Sequence, residues 1–230
     1  LDHLDWLPKN EQNIKKIIFE KTSTLLNSNI IVAKQSSNKI SSQIKQTISY
    51  NQSQKKFFNE EYTFSFNEND FFYYEDKIGG MKLPSPNVNG QFQLENISTA
   101  IATLRSVKQL KIKEEHIKSG ITKIHSIARL QEINKGKLKN LVKDNRLIVD
   151  GSHNPLGAKV LNEYLESLNC NKHIILGMMA NKNHQEYIDY FKNISSLTTI
   201  DIPNQPSSIK GNELKNKLKR HKNVQYKKSI

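Results

Sequence analysis

From residue 147 onward the chain alternates short apolar runs with amphipathic stretches, and this alternation constrains its fold more than any other feature. Strands are expected at 147–150, 173–177, 197–202 and 223–226, with helices at 155–168, 183–193 and 210–219 between them. Such regular alternation favours a parallel sheet with Rossmann-like winding, so the class is α/β. The run LIVDGSHNPLGAKVL, residues 147–161, is the most informative piece. Leu147, Ile148 and Val149 read as a short buried strand. Asn154 suits a helix N-cap and Pro155 the first helical position. Behind them Leu156, Val160, Leu161, Tyr164, Leu165 and Leu168 recur at helical spacing. Asp150, Ser152 and His153 are thereby placed where the carboxyl end of a strand meets the amino end of a helix. Open α/β sheets bind ligands in that crevice, and free N–H groups at the helix start suit anions.

Upstream the pattern differs. Ile14, Ile17, Ile18 and Leu25 share a helical period, NIIVAK reads as a strand, and 38–49 as a helix. From 61 to 83, EYTFSF, DFFYYE and IGGMKL alternate with polar turns, which predicts an antiparallel meander. A long helix follows, with Leu94, Ile97, Ile101, Leu104 and Val107 expected inward, and then a shorter one at 114–124. The change of pattern after HSIARLQEI puts a domain boundary near 125–129, dividing the chain into 1–126 and 127–230.

No apolar run approaches the roughly 18 residues of a membrane span, and no signal-peptide pattern opens the chain. Cys170 is alone, which excludes an internal disulfide; a reducing cytoplasm is expected, with Cys170 a small half-buried residue near a helix end. The net charge of +13 invites a nucleic-acid reading. The lysines are spread along the whole chain, however, and Asn and Ile are abundant with them, so the charge reads as a compositional bias. A basic cleft attracting phosphates fits the same charge. The opening LDHLDWLP reads like the interior of a domain, and VQYKKSI stops within an expected strand. A piece of a longer protein is the expectation.

Several residues carry possible chemistry, and each alone has an ordinary structural reading. His3 lies between Asp2 and Asp5, either in a polar loop or facing a divalent cation with its phosphates. Glu20 and Lys21 end a helix, where charged pairs are usually solvated. Gln93 and Asn96 open the long helix, as caps or as amides reaching a base or phosphate. Arg129, at the junction, reads as a structural ion pair or as a bidentate clamp on phosphates. Asp150 and His153 read as a cap and a structural imidazole, or as ligand-facing groups.

Taken in order, LDHLDWL, EK after a helix, GQFQLEN opening a helix, ARLQ, and DGSHNP after a strand resemble the folylpolyglutamate synthase/dihydrofolate synthase family. These are ATP-dependent, amide-forming enzymes of Mur-ligase type. The resemblance covers nearly the whole chain, and Asp-Gly-Ser-His-Asn-Pro, close to the family's Asp-Gly-Ala-His-Asn-Pro, is its most specific part. It implies that 1–126 is the C-terminal part of a Mur-ligase central ATPase domain and 127–230 a truncated Rossmann-like C-terminal domain. By the same resemblance, His3 is a magnesium ligand and Asn96, Arg129 and Asp150 contact ATP. Lys21, carbamylated in the family, and His153, in the DGSHNP motif, are the catalytic candidates. Carbamylation would turn an amine into a hard oxygen ligand of carboxylate type.

There are departures from the family pattern. EKTST replaces Glu-Lys-Ala-Gly-Ile, Phe92 stands where a histidine is common, SIAR replaces a Pro-Gly-Arg run, and MANKN leaves only Lys182 of an Asp-Lys-Asp triplet. A phosphate-cradling G-x-x-x-x-G-K-[ST] is absent; Gly136-Lys137 is followed by Leu138 and has no paired glycine. The resemblance places that loop upstream of residue 1, so these residues alone are expected not to catalyse. The implied cofactors are ATP and Mg2+, and the substrates dihydropteroate or folate with L-glutamate. No nucleic-acid or membrane partner is expected, and the protein is expected to be a monomer. Another Mur-type ligase acting on a cell-wall nucleotide precursor is the alternative, and a basic nucleic-acid-binding protein a more distant one. Amides at 147–150 and 173–177 are expected to exchange more slowly than those at 30–33.

Overall fold

The computed structural model describes residues 7–67, 71–218, 221 and 223–230. They form two compact units, 1–126 and 127–230.

In the first unit, Asn13 caps helix α1 (Ile14–Thr22) by accepting the Lys16 N–H at 3.0 Å. Strand β1 (Ile30–Val32) pairs in parallel with β2 (Lys55–Phe57), and α2 (Asn38–Thr47) forms the crossover that parallel pairing requires. Ile30, Val32, Ile48 and Phe57 make a small core there. The meander is present: β3 (Tyr62–Phe66), β4 (Phe71–Asp76) and β5 (Gly79–Pro84) pair antiparallel in sequence order. Period-two alternation turns Phe72 and Tyr74 inward, both 0% exposed, while Phe71 and Tyr73 face out. Helix α3 (Gln91–Leu104) and α4 (Glu114–Ile121) contribute Leu94, Ile97, Ile101, Ile117 and Ile121 to the same core.

Leu104 does not join them, contrary to the sequence expectation; it is 37% exposed, and Val107 lies beyond the helix. Arg105 closes that end of the core instead. Its guanidinium reaches Asp76 at 2.9 and 3.0 Å and the Met81 sulfur at 3.2 Å.

In the second unit, β8 (His173–Leu176), β9 (Ser196–Ile200) and β10 (Val224–Lys227) form a parallel sheet in the order β10–β9–β8. Helices α7 (His184–Asp189) and α8 (Gly211–Lys217) connect these strands, and Met178, Tyr187, Ile188, Leu197, Leu214 and Leu218 fill the core. The expected helix at 183–193 is thus shorter.

Strand 147–150 differs more. Only Ile148–Val149 (β7) is extended, and it pairs antiparallel with β6 (Gln131–Glu132), the two joined through α5 (Lys137–Val142). A two-stranded ribbon cannot cover both of its faces, so Val149 is 39% exposed rather than buried. Helix α6 (Pro155–Glu166) starts at Asn154 and Pro155 as the sequence indicates, with Asn154 Oδ1 accepting the Gly157 N–H. Its inward face centres on Ala158, Leu161 and Leu165. Leu156 precedes Ala158 by two residues, about 200° around the helix, and is 63% exposed. Cys170 is exposed, not half-buried.

Candidate functional site

The β7–α6 turn fastens a second, distant loop. Asp150 divides its carboxylate: Oδ1 accepts the Ser152 N–H and Oδ2 the Leu130 N–H, both at 2.8 Å. Beside them the Gly151 N–H donates to the Ala128 carbonyl at 2.8 Å. The approach at Gly151 is close: a Cβ there would lie 2.8 Å from an Arg129 guanidinium nitrogen, the far end of a flexible side chain, and 3.3 Å from the Ala128 oxygen. The 128–130 loop that this turn holds is strained. Ala128 and Leu130 both adopt left-handed backbone angles, with φ of 51° and 48°, which cost a residue bearing a Cβ about 1–2 kcal/mol each. Leu130 is 1% exposed and anchors the loop, and the Ala128 N–H donates to Gln131 Oε1 at 3.0 Å.

The strained pair presents Arg129. Its side chain is exposed and donates to the Ala128 carbonyl at 3.0 Å, and among the described residues it makes no ion pair. The structural ion pair considered for Arg129 is therefore absent among them. His153 is exposed, with Nδ1 3.2 Å from the Gly151 carbonyl. A carbonyl only accepts, so Nδ1 is the donor in this contact. On the other side of the turn, Ser152 Oγ lies 3.0 Å from the buried Tyr187 hydroxyl. Burial raises the Tyr187 pKa and the Ser152 hydrogen bond works to lower it.

In the first unit, Gln93 is 7% exposed; its Nε2 donates to Ser126 Oγ at 2.9 Å and its Oε1 accepts from Asn96 Nδ2 at 3.2 Å. Neither amide caps the helix, contrary to the capping alternative. The N-cap is Gly90, at a φ of 89° that only glycine adopts readily, with no side-chain cap. Asn96 is exposed one turn in. Lys21 lies exposed in the last turn of α1, where the neighbouring Glu20 reaches Lys16 at 3.4 Å. His3 lies outside the described residues. Lys182 lines an open groove between α7 and α8 with Gln185 and Lys217.

The second unit thus brings Arg129, Asp150 and His153 together, while Asn96 and Lys21 belong to the first. Among the described residues no three His, Cys, Asp or Glu side chains assemble a metal-holding group, and a lysine ammonium is no ligand for a hard cation. Sequence reasoning missed Ala128, Leu130, Ser126 and Tyr187, whose roles rest on contacts between distant segments; only Ser152 carried a signal, as a hydroxyl within an otherwise recognisable motif. No helix among the described residues is long and apolar enough to cross a membrane.

No family model and no curated protein matches the sequence. Solved structures do match. E. coli FolC in complex with DHPP and ADP superposes with a TM-score of 0.76 at 24% identity, over 100% of this chain and 51% of that one. Mycobacterium tuberculosis folylpolyglutamate synthase complexed with ADP gives 0.78 at 14% identity, over 94% and 50%. Folylpolyglutamate synthase from Thermotoga maritima gives 0.75 at 19% identity, over 93% and 50%. The chain spans about half the length of each. It shares the mixed α/β fold of the half of these folylpolyglutamate synthase and FolC structures that it matches.

Proposed function

We propose that this chain supplies part of the nucleotide site of an ATP-dependent ligase that joins L-glutamate to the carboxyl group of a pterin substrate. In this reading residues 1–126 belong to a Mur-ligase central domain and 127–230 to its C-terminal domain. The observation that carries the proposal is Arg129, held between two left-handed residues and locked there by Asp150. The neighbours described as complexes with ADP support it.

The ligase reaction has two steps. A substrate carboxylate takes the γ-phosphoryl of ATP, releasing ADP; the glutamate amine then displaces phosphate from the acyl phosphate. Transfer of a phosphoryl group depends on positioning and on cations at the spreading negative charge. Arg129 provides such a cation, and Asp150 fixes it through the backbone of its loop. His153, exposed in the same turn, offers its imidazole to a ligand by hydrogen bonding. Asn96, with Gln93 fixed behind it, contributes an amide toward the base or phosphates. The phosphate-cradling loop belongs, in this reading, to chain outside these 230 residues. Dihydropteroate and reduced folates are both carboxylates of the required kind. Magnesium would accompany ATP, with His3 and a carbamylated Lys21 as its candidate ligands; the described residues provide no site through which to route a step.

The test is ADP release by the chain extended at its amino end to include the P-loop segment the reading requires. Release should need ATP, glutamate and a pterin carboxylate together. Release that ignores the pterin would overturn the assignment.

A further inference from the structure

Tyr187 belongs to α7, not to the turn that carries the candidate site, and it is 3% exposed. Its ring packs 5.4 Å from that of Phe191 within the core of the second unit. A buried phenol hydroxyl needs a polar partner. This one finds Ser152 Oγ, 35 residues away in sequence, at 3.0 Å. Ser152 meanwhile gives its backbone N–H to Asp150, whose other oxygen holds the Leu130 N–H. A continuous path of hydrogen bonds therefore runs from the core phenol through Ser152 and Asp150 to the loop that presents Arg129. The turn has little slack on its helix side: a Cβ at Gly157 would lie 2.7 Å from Ser152 Cβ, so the two segments already touch. Burial keeps the phenol protonated, and its hydroxyl stays available to the serine throughout the neutral range.

We propose that Tyr187 is a positioning residue, acting through Ser152 and Asp150 to hold Arg129 and His153 in the geometry that meets the nucleotide; the nucleotide role rests on the ligase reading above. Tyr187 touches no substrate. It converts the rigidity of the α7 core into fixed placement of a strained loop.

Tyr187→Phe removes only the hydroxyl, and Ser152→Ala removes its partner. Amide hydrogen exchange in the 230-residue chain should show Gly151, Ser152 and Leu130 exchanging roughly tenfold faster in either variant, as when one hydrogen bond is lost. Leu197 and Thr199 in β9 should keep their wild-type rates. The double variant should be no faster than either single one, because residues linked through one bond are not additive. In the chain extended with its P-loop segment, kcat per folded molecule, with the folded fraction measured separately by urea unfolding, should fall about tenfold with the pterin KM unchanged, as when an interaction made only in the transition state is lost. Wild-type exchange at Leu130 in Tyr187→Phe, uniform acceleration that includes β9, or unchanged kcat would each overturn the proposal. A wild-type protein without pterin-dependent turnover would overturn the ligase reading and the nucleotide role with it, and the exchange pattern alone would then decide the linkage.

Discussion

Asp150 Oδ2 accepts the backbone N–H of Leu130 at 2.8 Å across 20 residues of sequence, and so joins the DGSHNP turn to the loop that carries Arg129. The bond gives a motif aspartate a definite physical task. It holds a backbone that would relax without it.

Asp150→Asn tests that task with little change of shape. An amide offers one acceptor oxygen where the carboxylate offers two, so either the Leu130 or the Ser152 N–H loses its partner. The variant should lose about 1.5–3 kcal/mol, the range for hydrogen bonds to charged groups. Turnover in the extended protein should fall on the order of 100-fold through misplacement of Arg129. Urea unfolding measures the first and ADP release the second; wild-type values in both would remove Asp150 from the site.

Ala128→Gly separates stability from function at the same loop. Glycine relieves about 1–2 kcal/mol of left-handed strain and loses about 0.5–1 kcal/mol to chain entropy. The variant should gain up to about 1.5 kcal/mol in urea unfolding while its turnover falls, since Arg129 is then held less firmly. A destabilised variant would show that the φ of 51° carries no strain.

The Asp76–Arg105 pair should govern the acid response of the first unit. Burial works to raise the Asp76 pKa, but the Arg105 guanidinium and the Ile78 N–H outweigh it and hold the carboxyl below its usual range. A depressed folded pKa gives stability that is present above the unfolded value of about 3.9 and is lost as pH falls through the folded value. Arg105→Ala strands a carboxyl whose side chain is 1% exposed and should cost about 3 kcal/mol at neutral pH. Denaturant titrations at a series of pH values should show the gap between wild type and variant closing as the pH falls below the unfolded value and through the depressed folded one. A gap independent of pH would mean that the pair contributes only packing.

Hydrogen exchange should place the slowest amides of the second unit in β9, which is paired on both sides, by β8 and by β10. Residues 148–149, in a two-stranded ribbon, should exchange faster than β9. Comparable protection in β7 and β9 would contradict the pairing described.

Lys21→Ala in the extended protein should lower turnover, and short carboxylic acids should partly restore it by replacing the oxygen anion that carbamylation supplies. Full activity in the variant would leave Lys21 an ordinary surface lysine.

The sequence by itself determined the α/β class, the meander, the start of α6 and the motif around Asp150. These depend on local chemistry: alternation fixes which faces of β4 are buried, and Asn154 with Pro155 starts a helix through its own backbone. The tertiary structure decided where those pieces found partners. Leu147–Val149 reads as a buried strand because its residues are apolar, but burial needs a second covering layer, and the antiparallel β6–β7 ribbon leaves Val149 exposed. Leu104 has the right helical period and is displaced by Arg105, because a carboxylate 29 residues upstream draws the guanidinium over the end of the core. Arg129 shows the same limit most clearly. Its placement depends on the positive φ of two neighbours, on the Leu130 N–H that Asp150 accepts and on the N–H that Gly151 donates to Ala128, and none of these is encoded within the ARLQ run. Local periodicity specifies elements; the pairing of side chains far apart in sequence emerges only when the chain closes on itself.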